Sequence, residues 1–235
     1  MVFSGKRFIM PAKNKYANRS KIFETKTREL IRLFSYDLDA TQISKVSGLN
    51  RNTVNRYLRA IRERIAEYCE SQSPLKGEIA VDESFFGPRR MKGKPGRGAY
   101  GKTVVFGLLK RQGAVYIKIV SDCTKTTLQA TIRGKVSLES VIHTDGLTSY
   151  YGLVDLGYKK HFRVQHGEGE FADGSNHING IESFWGYAKT RLVRFHGIHK
   201  VTFNLHLKEC EYRFNHRGVD MYQALLKLLR ERPLF

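Results

Sequence analysis

The run His177-Ile178-Asn179-Gly180-Ile181-Glu182-Ser183-Phe184-Trp185-Gly186-Tyr187-Ala188-Lys189 sets one carboxylate seven residues before a lysine. Two helical turns put Glu182 and Lys189 on one face. Upstream, Asp82 ends the apolar stretch that begins at Glu78, and Asp145 ends Val141-Ile142-His143-Thr144 just before Gly146. Each acid has an ordinary role open to it. Asp145 can begin a turn, Glu182 can pair with Lys189 on a solvated face, and Asp82 can cap a strand end. Taken together they fit phosphodiester chemistry. That chemistry must deprotonate a water or a 3′-hydroxyl beside a polyanion and stabilise the leaving oxygen. Two divalent ions about 3.5–4 Å apart do both. Mg²⁺ prefers oxygen ligands and keeps several waters, so a few carboxylates can hold the pair. Two strand-borne acids and one helical acid in a basic chain point to a metal-dependent nuclease or a DNA strand-transfer enzyme.

Charge supports a nucleic-acid partner. The 235 residues hold 41 Lys+Arg against 22 Asp+Glu, a formal net charge of +19. Neutralising phosphates with such side chains supplies most non-specific DNA affinity. An anionic membrane surface is the rival partner, but no run of about 18 apolar residues could span a bilayer. No signal peptide is evident, since Lys6 and Arg7 are followed by no apolar stretch. Cys69, Cys123 and Cys210 are scattered and form no Cys-x-x-Cys pair, which argues against a zinc ribbon and a disulfide scaffold. The expected setting is the reducing cytoplasm, associated with the nucleoid.

The elements around these acids divide the chain. Residues 1–20 read as a basic flexible arm. Residues 21–70 read as a small all-α domain. Leu30, Ile31, Leu33 and Phe34 form an apolar patch. Asp39 or Thr41 can cap a short helix, Gly48 can end it with a left-handed turn, and Asn50 can cap the next. Val54, Leu58, Ile61 and Ile65 give that next helix its apolar spacing. Short helix, glycine turn and longer helix form the helix-turn-helix pattern. The outward face would carry Arg51, Asn52, Asn55, Arg56 and Arg59, side chains suited to base edges and phosphates; the ordinary alternative is a three-helix bundle with a solvated basic face.

Residues 71–77 read as a linker, and 78–235 as the catalytic domain. Strands are expected at 78–86, 104–110, 114–120 and 140–144. Helices are expected at 124–136, 178–195, 202–216 and 221–230, with a short one at 150–156. Between the first two strands lies a glycine-rich basic loop with Arg89, Arg90, Lys92, Lys94, Arg97 and Lys102. It suits a clamp on the DNA backbone, because glycine lets backbone approach phosphate closely; the alternative is a solvated loop. The order of elements is that of an RNase H-like α/β domain, a mixed sheet flanked by helices.

Val81-Asp82-Glu83-Ser84-Phe85-Phe86-Gly87, His143-Thr144-Asp145-Gly146-Leu147-Thr148-Ser149-Tyr150 and His177-Ile178-Asn179-Gly180-Ile181-Glu182-Ser183-Phe184-Trp185 resemble the DDE transposases of bacterial insertion sequences. The likeness is to the family numbered 1595 and especially its 1016-like subgroup. It covers roughly residues 78–215. It implies an RNase H-like core, two-metal chemistry with Mg²⁺ or Mn²⁺, and element DNA as substrate. It makes Asp82, Asp145 and Glu182 the metal-binding triad. It makes Lys189 a companion that contacts DNA near the scissile phosphate. Many relatives carry an N-terminal zinc ribbon, for which the cysteines here offer no pattern. Some use Asn as the third member, so Asn179 is a rival to Glu182, although a carboxylate carries charge for the second ion. Glu83 is a rival to Asp82, and pleating lets only one of the two face the metals.

The expectation is a transposase acting on double-stranded DNA at terminal inverted repeats and at a target. At least a homodimer would form on DNA, since both element ends must be held. The alternatives are a catalytically dead DNA-binding derivative and a structure-specific nuclease of the same fold. Among secondary features, His143, His177 and His196 make no zinc spacing, and His177 is placed to assist proton transfer or to cap the helix. Trp185 and Phe184 offer a stacking pair for a flipped base, but an aromatic pair on a helix is more often core. Tyr150 and Tyr151 read as packing residues.

Overall fold

The computed structural model describes residues 14–72, 74–87, 102–111, 113–145, 150–151, 157–164, 179–195 and 197–235. These described residues form two compact units, one from those within 14–65 and 218–235 and the other from those within 66–217.

The first unit holds α1 (Glu24–Ser35), α2 (Ala40–Ser47), most of α3 (Arg51–Glu70) and the last helix, which follows residue 220. The Asp39 side chain accepts from the backbone of Thr41 and Gln42, and the Gln42 side chain returns to Asp39, a full capping box. Gly48 closes α2 at φ 68°, a left-handed conformation that glycine adopts without steric cost. Asn50 Oδ1 accepts from the Asn52 N–H and starts α3. Leu30, Ile31, Phe34, Ile43, Val54, Leu58, Ile61 and Ile65 are buried, the positions that helical spacing marks.

Two expectations change here. Residues 14–20 do not belong to a free arm. Tyr16 and Ala17 are buried, and Ala17 pairs in parallel with Leu234, with Asn18 N–H donating to the Leu234 carbonyl at 2.8 Å. The segment 218–235, expected in the catalytic domain, belongs to this first unit. The physical reason is the apolar face of that last helix: Leu225, Leu226, Leu228 and Leu229 are buried, and the helix packs on α1.

The second unit is a mixed sheet with helices on both faces. Its strands are β1 (Glu78–Phe86), β2 (Thr103–Lys110), β3 (Val115–Val120), β4 (Val141–Asp145) and β5 (Lys160–Val164), in the order β3-β2-β1-β4-β5. β1, β2 and β3 are antiparallel neighbours, whereas β4 runs parallel to both β1 and β5. α4 (Lys125–Lys135) makes the crossover from β3 to β4, and α5 (Asn179–Val193) and α6 (Lys200–Asn215) follow β5. This is the RNase H-like arrangement. The final helix of the chain, in the first unit, is α7 (Met221–Glu231).

Pleating splits the core in two. Ala80, Phe86, Val105, Leu109, Val115 and Ile117 pack against Ile181, Phe184, Trp185 and Ala188 of α5 and Leu207 and Cys210 of α6. Ile79, Val81, Phe106, Leu108, Tyr116 and Ile142 pack with Leu128 and Ile132 of α4 on the other face. β5 is a strand that sequence pattern does not predict. Lys-His-Phe-Arg-Val lacks an apolar run, and its strand form comes from pairing with β4. The expected linker is partly engaged too, since Leu75 bridges to Val136. Among the described residues no helix is long and apolar enough to cross a membrane.

Candidate active site

Asp82 lies midway along β1, opposite Gly107 of β2. It shares the sheet face of Ala80 and Phe86, the face that α5 covers. Its Oδ2 accepts a hydrogen bond from Trp185 Nε1 at 2.9 Å. Glu83 is on the opposite face, where Tyr150 Oη donates to its Oε2 at 2.6 Å. Of the two adjacent acids, Asp82 is therefore the one beside α5.

Parallel pairing of β1 with β4 sets Ala80 against His143 and Val81 against Thr144. One step further along each strand stand Asp82 and Asp145, and β4 still pairs at Asp145 with Val164 of β5. The register thus brings the two aspartates to neighbouring positions on adjacent strands. The Asp145 side chain is not among the described features.

α5 buries Ile181, Phe184, Trp185 and Ala188 and leaves Glu182, Ser183 and Lys189 exposed. Glu182 precedes Trp185 by one turn, so it lies on the same stretch of helix that reaches Asp82. One turn beyond Trp185, Lys189 Nζ stands 5.7 Å from the centre of the Phe86 ring. Phe86 is four residues along β1 from Asp82 and meets the Trp185 ring edge-on at 6.1 Å. A line of contacts therefore runs along β1 and α5 together: Asp82 with Trp185, then Phe86 with Lys189.

Two glycines allow this close approach. A Cβ on Gly107 would lie 2.6 Å from Trp185 Cζ2, and one on Gly180 would lie 2.6 Å from Leu109 Cδ2. Sequence alone singles out neither, because the need arises only where helix meets sheet.

The donor chemistry fits a hard divalent cation. Asp82 and Glu182 offer carboxylate oxygens, with Asp145 next to Asp82 by register, and hard oxygen donors suit Mg²⁺ and Mn²⁺. Among the described residues no group of three or more His, Cys, Asp or Glu side chains gathers as a metal cluster. Asn179 is the first residue of α5, and its side chain is outside the described features. His177, Arg89, Arg90, Lys92, Lys94 and Arg97 lie outside the described residues, while Lys102 is half-buried just before β2. His143 is buried and stacks on Phe162 at 5.3 Å. Phe184 and Trp185 are core residues, which removes them as an exposed stacking platform. Tyr150 packs as expected, whereas Tyr151 is exposed.

In the first unit, Arg51, Asn52, Asn55, Arg56 and Arg59 are all exposed on α3. Two are already engaged. The Arg56 guanidinium lies 4.3 Å from the centre of the Phe235 ring, and Arg59 Nε donates to Glu63 at 2.9 Å.

Residues 74–215 match the ISXO2-like transposase domain. An uncharacterized transposase-like protein of Haemophilus influenzae is 42% identical over 115 residues, spanning 49% of this chain and 92% of that protein. An uncharacterized protein in transposable element ISH50 of Halobacterium salinarum is 25% identical over 195 residues, 74% of this chain but 63% of that protein. Among solved structures, the catalytic core domain of BIV integrase aligns with a TM-score of 0.40 at 15% identity, over 65% of this chain and 95% of that one. The Mos1 strand transfer complex aligns with a TM-score of 0.32 at 12% identity, over 89% and 78%.

Proposed function

We propose that this chain, which belongs to the ISXO2-like transposase domain family, cleaves DNA at the terminal inverted repeats of an insertion sequence and joins the freed 3′-hydroxyl to target DNA. The observation that carries this reading is the register of β1 and β4. It supports a pair of neighbouring aspartates, Asp82 and Asp145, beneath the helix that bears Glu182.

In this reading Asp82, Asp145 and Glu182 hold two divalent ions, Mg²⁺ or Mn²⁺. When bound, the ions supply activation of the attacking oxygen and stabilisation of the leaving one. Lys189, exposed one turn past Trp185, holds a phosphate of the DNA end. Trp185 and Phe184 keep α5 seated on the sheet so that Glu182 stays over Asp82. Arg51, Asn52, Asn55, Arg56 and Arg59 on α3 read the terminal repeat, with α2 and the Gly48 turn bracing α3 in the helix-turn-helix manner. The basic segment from Arg89 to Lys102 grips backbone phosphate. Two ends must be held at once, so the working form is at least a dimer on DNA, acting in the nucleoid.

The test is a cleavage and joining assay on a labelled duplex carrying the element's terminal repeat, with Mg²⁺ or Mn²⁺. Metal-dependent 3′-end release and joining, lost in Asp145→Asn and Glu182→Gln, is the expected result. Binding with no cleavage would leave a DNA-binding derivative, and hydrolysis without joining would leave a nuclease. Activity that survives Glu182→Gln but is lost in Asn179→Ala would transfer the third role to Asn179.

A further inference from the structure

Trp185 is the only tryptophan in the chain, and its indole N–H ends on a carboxylate. The ring is 5% exposed. A buried indole N–H must find an acceptor or lose the hydrogen bond it makes with water. Many backbone carbonyls would serve. Here the acceptor is Asp82 Oδ2 at 2.9 Å, an acid already assigned to the metal pair.

The ring has little freedom to choose another. Phe86 meets it edge-on at 6.1 Å, and Phe184 lies tilted against it at 5.1 Å. Its six-membered edge rests over Gly107, where any Cβ would come within 2.6 Å of Cζ2 and 2.8 Å of Cη2. Gly107 is the β2 partner of Asp82, so the space that admits the indole lies directly beside the acid. Together these contacts aim one N–H along one direction at one carboxylate oxygen. A hydrogen bond to an ionised carboxylate is among the stronger ones. Partners that orient a ligating group commonly shift metal affinity or activity by about 10- to 100-fold.

We propose that Trp185 is a positioning residue for Asp82. Its N–H fixes the plane of the Asp82 carboxylate, so the acid meets the divalent ion already oriented. The inference rests on the assignment of Asp82 as a metal ligand. It adds that the affinity of the site depends on the Trp185 N–H reaching across from α5.

The lone indole makes the test direct. In ¹⁵N-labelled full-length protein, Trp185 gives the one tryptophan side-chain N–H resonance. Asp82→Asn is expected to move that resonance, and Mn²⁺ is expected to broaden it in wild type but not in Asp82→Asn. Binding of Mn²⁺, read from the spin-resonance signal of the free ion with and without repeat DNA, should weaken about 10- to 100-fold in Trp185→Phe. That variant keeps an aromatic ring but lacks the N–H. Glu83→Gln, on the other sheet face, should bind Mn²⁺ as wild type does.

Wild-type Mn²⁺ affinity in Trp185→Phe, with binding still lost in Asp82→Asn, would overturn the positioning role and leave the metal site intact. No Mn²⁺ binding to wild type on repeat DNA would overturn both. If Trp185→Phe unfolds, the wild-type resonance decides. An indole signal indifferent to both Asp82→Asn and Mn²⁺ would reduce Trp185 to packing.

Discussion

Pleating sends adjacent strand residues to opposite faces, and it gives Asp82 and Glu83 different surroundings. Asp82 meets Trp185 beneath α5, while Glu83 accepts from Tyr150 on the α4 side. Asp82→Asn should therefore cut end cleavage by on the order of 100-fold or more. Glu83→Gln should leave the cleavage rate within a small factor of wild type and register in thermal unfolding, through the weakened bond to Tyr150. Parallel rate and melting measurements on both variants check this; a cleavage defect in Glu83→Gln matching that of Asp82→Asn would reverse the assignment. Sequence makes both acids candidates and requires that only one face the metals. Choosing between them needs the helix that covers one face. The Trp185–Asp82 bond joins residues 103 apart in the chain, so no local pattern announces it.

At the scale of elements, α6 has a second role at the outer edge of β3. An unpaired edge offers free backbone groups to any passing strand. Three α6 side chains occupy that edge. Asn215 accepts from Val115 N–H at 2.7 Å and donates to the Val115 carbonyl at 2.8 Å. Glu211 accepts from Ile117 N–H at 3.1 Å, and Lys208 donates to the Ile117 carbonyl at 2.7 Å. Positions 208, 211 and 215 share a helix face, so the helix supplies the partners that a further strand would. Periodicity predicts α6 and misses this role, because buried Lys and Glu on a helix read as its solvated side.

Asn215→Ala should cost about 1–3 kcal/mol in urea unfolding, since it leaves two backbone groups unsatisfied. The same network has a pH signature. Burial alone would lower the Lys208 pKa, but Glu211 and Glu70 outweigh it and hold it above its ordinary value. A raised folded pKa means that the stabilisation is complete below the unfolded value of about 10.4 and is lost as pH rises through the folded one. Burial also pushes the Tyr116 phenol up, which acts in the same direction. The urea midpoint of wild type should therefore fall above about pH 10.4. Lys208→Met should start lower at neutral pH and lose less across that window. Equal losses in both proteins would remove Lys208 as the cause.

At the scale of the whole molecule, charge and chain topology bear on the same surface. The net charge of +19 favours any polyanion, so in the proposed function specificity would rest on how α3 is held. The C-terminal segment contributes to that support. The Phe235 ring lies under the Arg56 guanidinium and edge-on to Tyr57 at 5.1 Å, and the Pro233 carbonyl accepts from Arg64 Nε at 3.0 Å. α7 packs on α1, with Tyr222 beneath Arg32 at 4.9 Å. Reading the chain in order hides this, since residues 218–235 come after α5 and α6 and no local signal says that they return to the first unit. Leu229→Ala, in the buried α7 face, should cost about 2–5 kcal/mol and should weaken repeat binding only as unfolding sets in. Phe235→Ala removes a half-exposed ring, so it should lower the melting temperature by only about 2–4 °C. It should instead reduce affinity for the terminal-repeat duplex by about fivefold to tenfold, the effect of releasing one guanidinium held by about 1 kcal/mol of cation–π attraction. Arg56→Ala should go further and make the dependence of log affinity on log salt shallower by about 0.9, the mark of one fewer phosphate neutralised. Fluorescence anisotropy over a salt series measures both. An Arg56→Ala slope equal to that of wild type would place Arg56 away from the DNA backbone and leave its stacking on Phe235 a matter of stability alone.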